Sequence, residues 1–497
     1  MDVSPDVSRT LNNQADSQAR AFRVNPRLRF LLLALAASVL FLGAIRLGDL
    51  AGYDDAMYSL EAKGIAHTGD WLTPKARGAP ALEHPPLFVW TQAAFLSAFG
   101  ISDPVAKLPS ALCALGTVLL VYWLARRLLK DTLAASVAMF VMLATPYFIK
   151  YAGHAMTDVP TTFLFVCAIC AWSLADGEDE SKNDGRWYLA AGVFTALALM
   201  VRGLIGFGLP VIFAAHLMAV RRRPPWRYLI SALVIALLPL TAWYSYLLFR
   251  YRGNFVGLHQ DWLSREVYGL LTPAWRRYTG AIEYAWMLLK SYWPWLPATV
   301  GGIVVICSSK MPDSDEKRRR PLFLLLAWAA TVFLLCAAAR SRVLRYMLPA
   351  YPAFAILAAI GLMKWIPRRI LERAMDWVPP LAVAAAISIV VLLPPGWHAT
   401  EIRALVQAHT NALPPGEPVG FYDKSDPRYD ETNQLEWYGN GLPVILPARA
   451  DLEEALQAGS IRVFVVDEAT YRERIQRLPH EVIAESGHLI SVRLKPR

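Results

Sequence analysis

Residues 30–58 read FLLLALAASVLFLGAIRLGDLAGYDDAMY, an apolar run that is followed closely by two adjacent acids, Asp54 and Asp55. A second polar cluster, EHPP at residues 83–86, stands just before the next apolar run. Ionisable groups at a membrane boundary cost free energy unless a ligand, an ion or water offsets that cost. The stretch therefore predicts a membrane helix that leads into a loop with a binding or catalytic site.

The composition of the whole chain is typical of a membrane protein. Of its 497 residues, 55% are hydrophobic and 18% are charged, whereas soluble proteins carry charge on about a quarter of their residues. The apolar residues fall into runs of about 17–25, the length that crosses a bilayer as a helix. The expected fold is mainly α, a polytopic transmembrane helical bundle with a small C-terminal α/β domain.

Eleven segments are candidate membrane spans, and thirteen spans result if a long segment such as 281–307 breaks differently. The segment 87–101 is too short for a full crossing, and it suits a helix that lies at the interface or re-enters the membrane. The candidate spans are 29–46, 107–125, 133–149, 159–175, 187–201, 203–220, 228–248, 281–307, 321–339, 346–364 and 377–395.

The basic residues predict the orientation of the chain. With the polar tail 1–28 in the cytoplasm, alternating spans place nearly every basic loop on that side, as the positive-inside rule requires. We expect the tail to be disordered because it has few large apolar residues. The net charge of +10 is explained by these loops, so binding to nucleic acid is not expected.

The segments after 396 differ in character from the rest of the chain. They combine turn-rich polar stretches with two short runs, 461–466 and 489–494, that are typical of strands. We expect a transmembrane domain over 29–395, with a first outer-face loop over 47–106, and an α/β domain over 396–497 on the outer face.

General acid–base catalysis requires a positioned side chain, such as a carboxylate, that can take a proton from the reacting group. Asp54 and Asp55 are the first candidates for this catalytic role, and Asp158, which lies between two apolar segments on the expected outer face, is a third. The alternative for each of these acids is an N-cap of the following helix, where Asp is favoured.

Residues near these acids could shape a site or bind a cation. The two prolines after His84 restrict the backbone before them and aim Glu83 and His84, although a rigid turn is the alternative. With His154 and Asp158 they offer the ligand types of a divalent cation, and Glu83 and Asp158 are the expected ligands. The candidate substrate-binding residues are Tyr58, Glu83, His84, His154 and Arg265.

Arginines on the expected outer face oppose the positive-inside rule, so a function other than topology is indicated. Arginine offers a fork of donors that suits phosphate oxygens. The alternative is that individual arginines extend towards lipid headgroups. The candidate donor-phosphate-binding residues are Arg202, Arg340, Arg342, Arg345 and Tyr346.

Four stretches together resemble the bacterial branch of the GT-C glycosyltransferase superfamily. This branch includes the 4-amino-4-deoxy-L-arabinose lipid A transferases and relatives of the protein O-mannosyltransferases. The stretches are DDAMY at 54–58, GDWLTP at 69–74, LEHPPL at 82–87 and RYMLP at 345–349, and the likeness covers 30–395.

The resemblance implies an undecaprenyl-phosphate-linked sugar donor, an inverting mechanism and a periplasmic active site. It also implies that Asp54 is the general base or the carboxylate that orients the acceptor, and that Glu83 and Asp158 are further acids, which in some family members surround a metal. Three positions depart from the family pattern: Asp55 replaces a usual Glu, Met57 a common Arg, and His84 a common Lys. These departures suggest another donor sugar or another acceptor.

The expected activity is transfer of a sugar to lipid A, lipopolysaccharide or another cell-envelope acceptor. A protein O-glycosyltransferase of the same superfamily is the main alternative. A transporter or flippase of lipid-linked sugars is less favoured, because the charged residues lie at one membrane face and no repeat is visible. We expect a monomer in the bacterial inner membrane, with the N-terminus in the cytoplasm and the C-terminal domain in the periplasm.

Overall fold

A computed structural model describes most of the chain. The described residues are 25–50, 52–76, 79–81, 84–176, 185–220, 224–251, 274–308, 316–339, 343–394, 401–412, 418–423, 430–439, 442–446 and 449–495. The expectations for the tail 1–24, for Glu83 and for Arg265, Arg340 and Arg342 fall outside these residues.

The chain forms two compact units that do not follow chain order. The helical unit contains Met1–Gly43, Leu112–Ala152 and Asp158–Leu392, and the mixed unit contains Ala44–Ala111, Gly153–Thr157 and Leu393–Arg497. The first loop therefore groups with the C-terminal part of the chain. The domain limits inferred from the sequence stay predictions.

The helices up to the middle of the chain are α1 Pro26–Ala44, α2 Gly52–Thr68, α3 Leu87–Phe99, α4 Asp103–Leu129, α5 Thr132–Leu143, α6 Pro146–Ala152, α7 Asp158–Ala175, α8 Gly185–Gly206, α9 Gly208–Val220 and α10 Trp226–Tyr251. Two short strands, β1 Lys75–Ala76 and β2 Ala79–Pro80, pair antiparallel between α2 and α3. The following helices are α11 Ala274–Ser291, α12 Trp295–Ser308, α13 Glu316–Ala338, a 3₁₀ helix at Leu344–Ala350, α14 Tyr351–Trp365 and α15 Arg368–Leu392.

Among the described residues, eight helices are long and apolar enough to cross a membrane, and a ninth span results if the bent pair α5 and α6 is counted as one. Shorter apolar helices are α3, α9 and α12. Every one of the eleven segments expected to span contains helix. The 13 residues of α3 rise only about 20 Å, less than the hydrocarbon thickness. The prediction that 87–101 does not cross is therefore consistent with its helix length.

The segment 281–307 is not one continuous helix. It is broken between α11, which ends at Ser291, and α12, which begins at Trp295. A proline at position 294 lies in the break, and proline cannot donate the backbone hydrogen bond that would continue a helix. The sequence had allowed for such a break.

Glycines allow α12 and α14 to approach closely in the helical unit. A Cβ atom added at Gly302 would lie 2.0 Å from the carbonyl oxygen of Leu357, and one at Gly361 would lie 2.0 Å from that of Ala298. The Thr299 hydroxyl donates to the Phe354 carbonyl at 3.1 Å. Small residues and hydroxyl bonds of this kind drive helix association where no hydrophobic effect acts.

An ion pair joins α1 to α15 within the same unit. The Arg29 guanidinium donates to Asp376 Oδ1 at 2.5 Å, and Arg29 is buried. Arg29 was expected in the cytoplasmic tail region as an orientation signal. The structure shows that Arg29 also fixes α1 against α15.

The C-terminal part of the mixed unit is an α/β layer, as predicted. Its five-stranded sheet has the order β4-β3-β5-β7-β6, with β3, β4 and β5 parallel and β7 antiparallel to both of its neighbours. The two strands inferred from the sequence correspond to β5 and β7. The elements are α16 Glu401–Ala412, β3 Pro418–Tyr422, α17 Asp430–Tyr438, β4 Leu442–Ile445, α18 Arg449–Ala458, β5 Val463–Asp467, a short helix at Glu468–Thr470, a π-helical turn at Tyr471–Ile475, β6 His480–Ser486 and β7 Leu489–Leu494.

Alternate residues of β5 support the two faces of this sheet. Val463 and Val465 face a cluster that includes Leu405 of α16, and Phe464 faces a cluster that includes Leu452 of α18. Because side chains alternate along a strand, a fully apolar run signals a strand that is covered on both faces.

We expect Gly302→Ala to separate α12 from α14, because its methyl group has no space beside a backbone carbonyl. Overpacking of this kind costs about 1–3 kcal/mol. The measurement is the thermal unfolding midpoint of the purified protein in detergent. The control is Gly208→Ala, whose methyl would meet the end of a flexible side chain, Leu335 Cδ1, at 3.1 Å. Equal midpoints for the two variants would contradict the close approach.

Candidate functional site

The described site residues form two groups, one in each unit. The acidic cluster, in the mixed unit, consists of Asp54, Asp55, Tyr58, His84 and His154. The arginine cluster, in the helical unit, consists of Asp158, Arg202, Arg345 and Tyr346. Each cluster joins residues that are distant in sequence, so each is a product of the fold.

Both acids of the pair lie in the first turn of α2, which begins at Gly52. They therefore follow the N-cap position instead of occupying it, and the helix dipole favours negative charge there. Asp55 is completely buried, whereas Asp54 is half-buried. Asp54 is the acid of the pair that can reach a substrate from solvent.

Asp55 is held by a histidine from a distant segment. His154 Nδ1 lies 2.6 Å from Asp55 Oδ2, a hydrogen bond in which the ring N–H donates to the carboxylate. The His154 side chain keeps 24% of its surface exposed. Asp55 Oδ1 is buried and accepts no hydrogen bond from the described part of the chain. The backbone next to His154 is fixed by Ser110, whose hydroxyl donates to the Met156 carbonyl at 3.1 Å.

Tyr58 and His84 pack together beside the acids. The Tyr58 ring lies 5.5 Å from the His84 ring and 5.6 Å from Phe88, the latter edge to face. Tyr58 is buried and His84 is half-buried. These contacts orient His84 at the surface of the acidic cluster, while its role in substrate binding stays a prediction.

Sequence reasoning missed a lysine next to the acid pair. Lys107 of α4 is buried, and its Nζ donates to the Gly48 carbonyl at 2.6 Å and to the Leu47 carbonyl at 3.3 Å. Its charge acts on Asp55 and also on Asp49 and Asp103. The available signal was a lysine at the first position of a candidate span, where a cation requires a partner.

The arginine cluster is built around a buried carboxylate. Asp158 opens α7, and its Oδ1 accepts a hydrogen bond from Arg202. Arg345 Nε lies 3.8 Å from Asp158 Oδ2. The guanidinium of Arg202 stacks over the Tyr346 ring, 4.4 Å from its centre. Two guanidinium groups therefore converge on one buried carboxylate.

A kink in α8 directs Arg202 into this cluster. The backbone of Arg202 departs from helical geometry, with φ −150° and ψ 71°, inside an otherwise helical segment. A break in helical geometry changes the direction in which the side chain at that position points. The sequence signal was the pair Arg202-Gly203 within an apolar run.

The chain is similar to known proteins over much of its length. Residues 83–244 match the model of the dolichyl-phosphate-mannose-protein mannosyltransferase family. A relative in Edwardsiella ictaluri, an undecaprenyl phosphate-alpha-4-amino-4-deoxy-L-arabinose arabinosyl transferase, is 24% identical over 314 residues. That alignment covers 62% of this chain and 54% of the relative.

Solved structures share the fold over nearly the whole chain. The ArnT protein of Cupriavidus metallidurans, crystallised with undecaprenyl phosphate, superposes with a TM-score of 0.74 at 17% identity, over 94% of this chain and 99% of that one. This chain therefore has the fold of that protein. The oligosaccharyltransferase of Archaeoglobus fulgidus gives a TM-score of 0.59 at 16% identity, over 89% of this chain and 68% of that one.

The matched region contains part of the predicted site. His84, His154, Asp158 and Arg202 all lie within 83–244, the segment that the family model covers. Arg345 and Tyr346 lie outside it, and the fold brings them to Asp158 and Arg202.

The charges around Asp158 do not suit a metal ion. Both carboxylate oxygens face guanidinium groups, so a further cation would meet positive charge. Among the described residues, no group of three or more His, Cys, Asp or Glu side chains could hold a metal. Glu83 lies outside the described residues, and a metal at Glu83 and Asp158 stays an untested prediction.

We expect Asp158→Asn to destabilise the protein, because it leaves Arg202 and Arg345 close together without their shared carboxylate. Breaking a buried ion pair on one side costs about 3–5 kcal/mol. The control is Asp131→Asn, which weakens an ion pair with the exposed Arg368 and should cost no more than about 1 kcal/mol. The measurement is thermal unfolding in detergent. The interpretation fails if the two variants unfold at the same temperature.

Proposed function

We propose that this protein is a GT-C glycosyltransferase, which transfers a sugar from a polyprenyl-phosphate carrier of the undecaprenyl type to a cell-envelope acceptor. The observation that carries the proposal is the arginine cluster, in which two guanidinium groups converge on one buried carboxylate. Phosphate-linked donors need such a group of fixed donors where negative charge develops.

In the proposed reaction the acceptor oxygen attacks the anomeric carbon of the sugar. The bond between that carbon and the phosphate oxygen breaks, and the electron pair remains on the departing polyprenyl phosphate. Arg202 and Arg345 stabilise this charge, while Asp158 holds both guanidinium groups in place. The configuration of the anomeric carbon inverts because the acceptor enters opposite to the leaving group.

Asp54 takes the proton of the acceptor hydroxyl or orients that hydroxyl. Support comes from its half-buried position in the first turn of α2 and from the buried acid next to it. The hydrogen bond between Asp55 and His154 holds the start of the helix that carries both acids. Positioned bases of this kind contribute about 10²–10⁴-fold to a rate.

Two acceptor classes remain candidates for different reasons. The arabinosyl transferase relatives favour lipid A or another lipid-linked glycan. The match to the protein mannosyltransferase family favours a protein hydroxyl. We place lipid A or a related envelope glycan first, because the relatives of that class align with a larger part of this chain.

The proposal includes a location and an orientation. The chain is a multi-pass membrane protein, and we assign it to the bacterial inner membrane as a monomer. The positive-inside pattern supports a cytoplasmic N-terminus, with the acidic pair, the arginine cluster and the C-terminal α/β layer at the periplasmic face. A divalent metal ion has no step in the reaction as written, and the assay below includes a chelator to test it.

The decisive assay uses purified protein, radiolabelled undecaprenyl-phosphate sugars, and lipid A or membrane-protein acceptors, with and without chelator. Release of undecaprenyl phosphate together with movement of label to one acceptor is the expected result. Intact donors that cross a reconstituted bilayer would instead identify a flippase.

We expect Asp54→Asn to lower kcat by about 10²-fold or more, because the amide cannot accept the acceptor proton. Binding of the donor should persist, since the arginine cluster is unchanged. Asp70→Asn is the control: Asp70 lies in the same loop, and its Oδ1 accepts backbone hydrogen bonds from Leu72 and Thr73, which an amide oxygen can also accept. Near-normal turnover by the Asp54 variant would remove that residue from the mechanism.

A further inference from the structure

Helix α17, in the C-terminal α/β layer, contacts the segment that carries the acid pair, and both belong to the mixed unit. Resting on the proposed function, we propose that α17 positions Asp54 and Asp55, with Tyr438 and Lys63 as the positioning residues. These residues do not touch the substrate in this proposal. They hold the two ends of the segment that contains α2.

The first attachment lies just before α2. The backbone N–H of Leu50 donates to the Tyr438 hydroxyl at 2.8 Å, and the Gln434 amide donates to the Leu50 carbonyl at 2.6 Å. Leu50 is completely buried. Both of its backbone groups are thus satisfied by side chains of α17, four residues ahead of Asp54 in the sequence. Buried backbone groups that lose such partners carry a substantial cost.

The second attachment lies near the end of α2. Lys63 Nζ donates to the Trp437 carbonyl at 3.1 Å and lies 3.4 Å from the Glu436 carbonyl. These are carbonyls of the last turn of α17, which lack partners within their own helix. A lysine at this end also suits the helix dipole. The two attachments therefore enclose the acid pair between Leu50 and Lys63.

Asp103 fixes the same end of α17 from another direction. Its carboxylate accepts hydrogen bonds from the Trp437 indole at 2.7 Å and from the Tyr438 hydroxyl at 2.8 Å. Arg403 of α16 lies 3.5 Å from Asp103 and forms an ion pair with Asp49. Burial, followed by the charge of Asp103, raises the pKa of Tyr438, so its hydroxyl stays a hydrogen-bond donor at neutral pH.

The Tyr438 hydroxyl is therefore both an acceptor and a donor of hydrogen bonds. It accepts from the backbone ahead of the acids and donates to Asp103. Its loss would leave the buried Leu50 N–H without this acceptor and shift the start of α2, where Asp54 and Asp55 lie. A displacement of about 1 Å at a reacting group can lower a rate by about 10²-fold.

The test compares Tyr438→Phe with Tyr471→Phe in the full-length protein. Both remove one hydroxyl from the C-terminal α/β layer, and the Tyr471 hydroxyl bonds to His480, away from α2. We expect Tyr438→Phe to lower kcat by about tenfold or more with donor KM within about twofold, because only the acid is misplaced. Tyr471→Phe should keep both constants within about twofold.

A second pair tests the other attachment. Lys63→Gln removes the cation that binds the end of α17, whereas Lys63→Arg retains donors for the same carbonyls. We expect the arginine variant to recover most of the kcat that the glutamine variant loses. A loss confined to donor KM, or equal losses in both Lys63 variants, would overturn the positioning role.

Hydrogen–deuterium exchange over residues 52–68 provides a readout that does not need activity. Faster exchange there in Tyr438→Phe, but not in Tyr471→Phe, supports positioning even if the wild-type protein transfers no sugar, in which case only the proposed function fails. If the wild type transfers sugar and Tyr438→Phe leaves exchange and kcat unchanged, the positioning proposal fails alone.

Discussion

The requirement that a buried carboxylate be neutralised governs the functional end of the helical unit. Asp158 opens a membrane helix and is buried, and an ionised carboxylate in such surroundings needs cations close by. The chain meets this need with Arg202, which requires a kink in α8, and with Arg345 from beyond α13. The kink in α8, the 3₁₀ helix that carries Arg345 and the stacking of Arg202 on Tyr346 together hold these cations at one carboxylate.

The mixed unit meets the same requirement with different residues. Asp55 is buried and accepts a hydrogen bond from His154. Lys107 lies near enough to interact with it electrostatically. A histidine and a lysine deliver less fixed donor geometry than two arginines. Asp55 is held in place within α2, whereas its neighbour Asp54 keeps access to solvent. One acid of the pair can then serve structure while the other serves chemistry.

The sequence predicted the parts of this protein that depend on local properties. Apolar run length predicted helices in all eleven segments. A short apolar run predicted β5 and alternation predicted β7, because burial in lipid or in a sheet core is visible in the composition of a segment. It also named Asp158 and Arg202 as candidate site residues, and the structure brings these two into contact. The hydrogen bond between Leu50 and Tyr438 could not be predicted, because 388 residues separate the two. The identity of a polar side chain does not indicate which distant residue it will bond to.

The departures from the family pattern gain a physical reason in the structure. Met57 occupies a position where an arginine is common in the family, and it is buried, 5% exposed. An arginine there would need its own buried partner. The lysine near the acids is instead Lys107 of α4, and the hydrogen-bond donor to Asp55 is His154, both outside the first acidic motif. Because these residues come from different elements, the groups around the acids are placed differently from those that the family pattern would give. A different donor sugar or acceptor is the consequence that this arrangement favours.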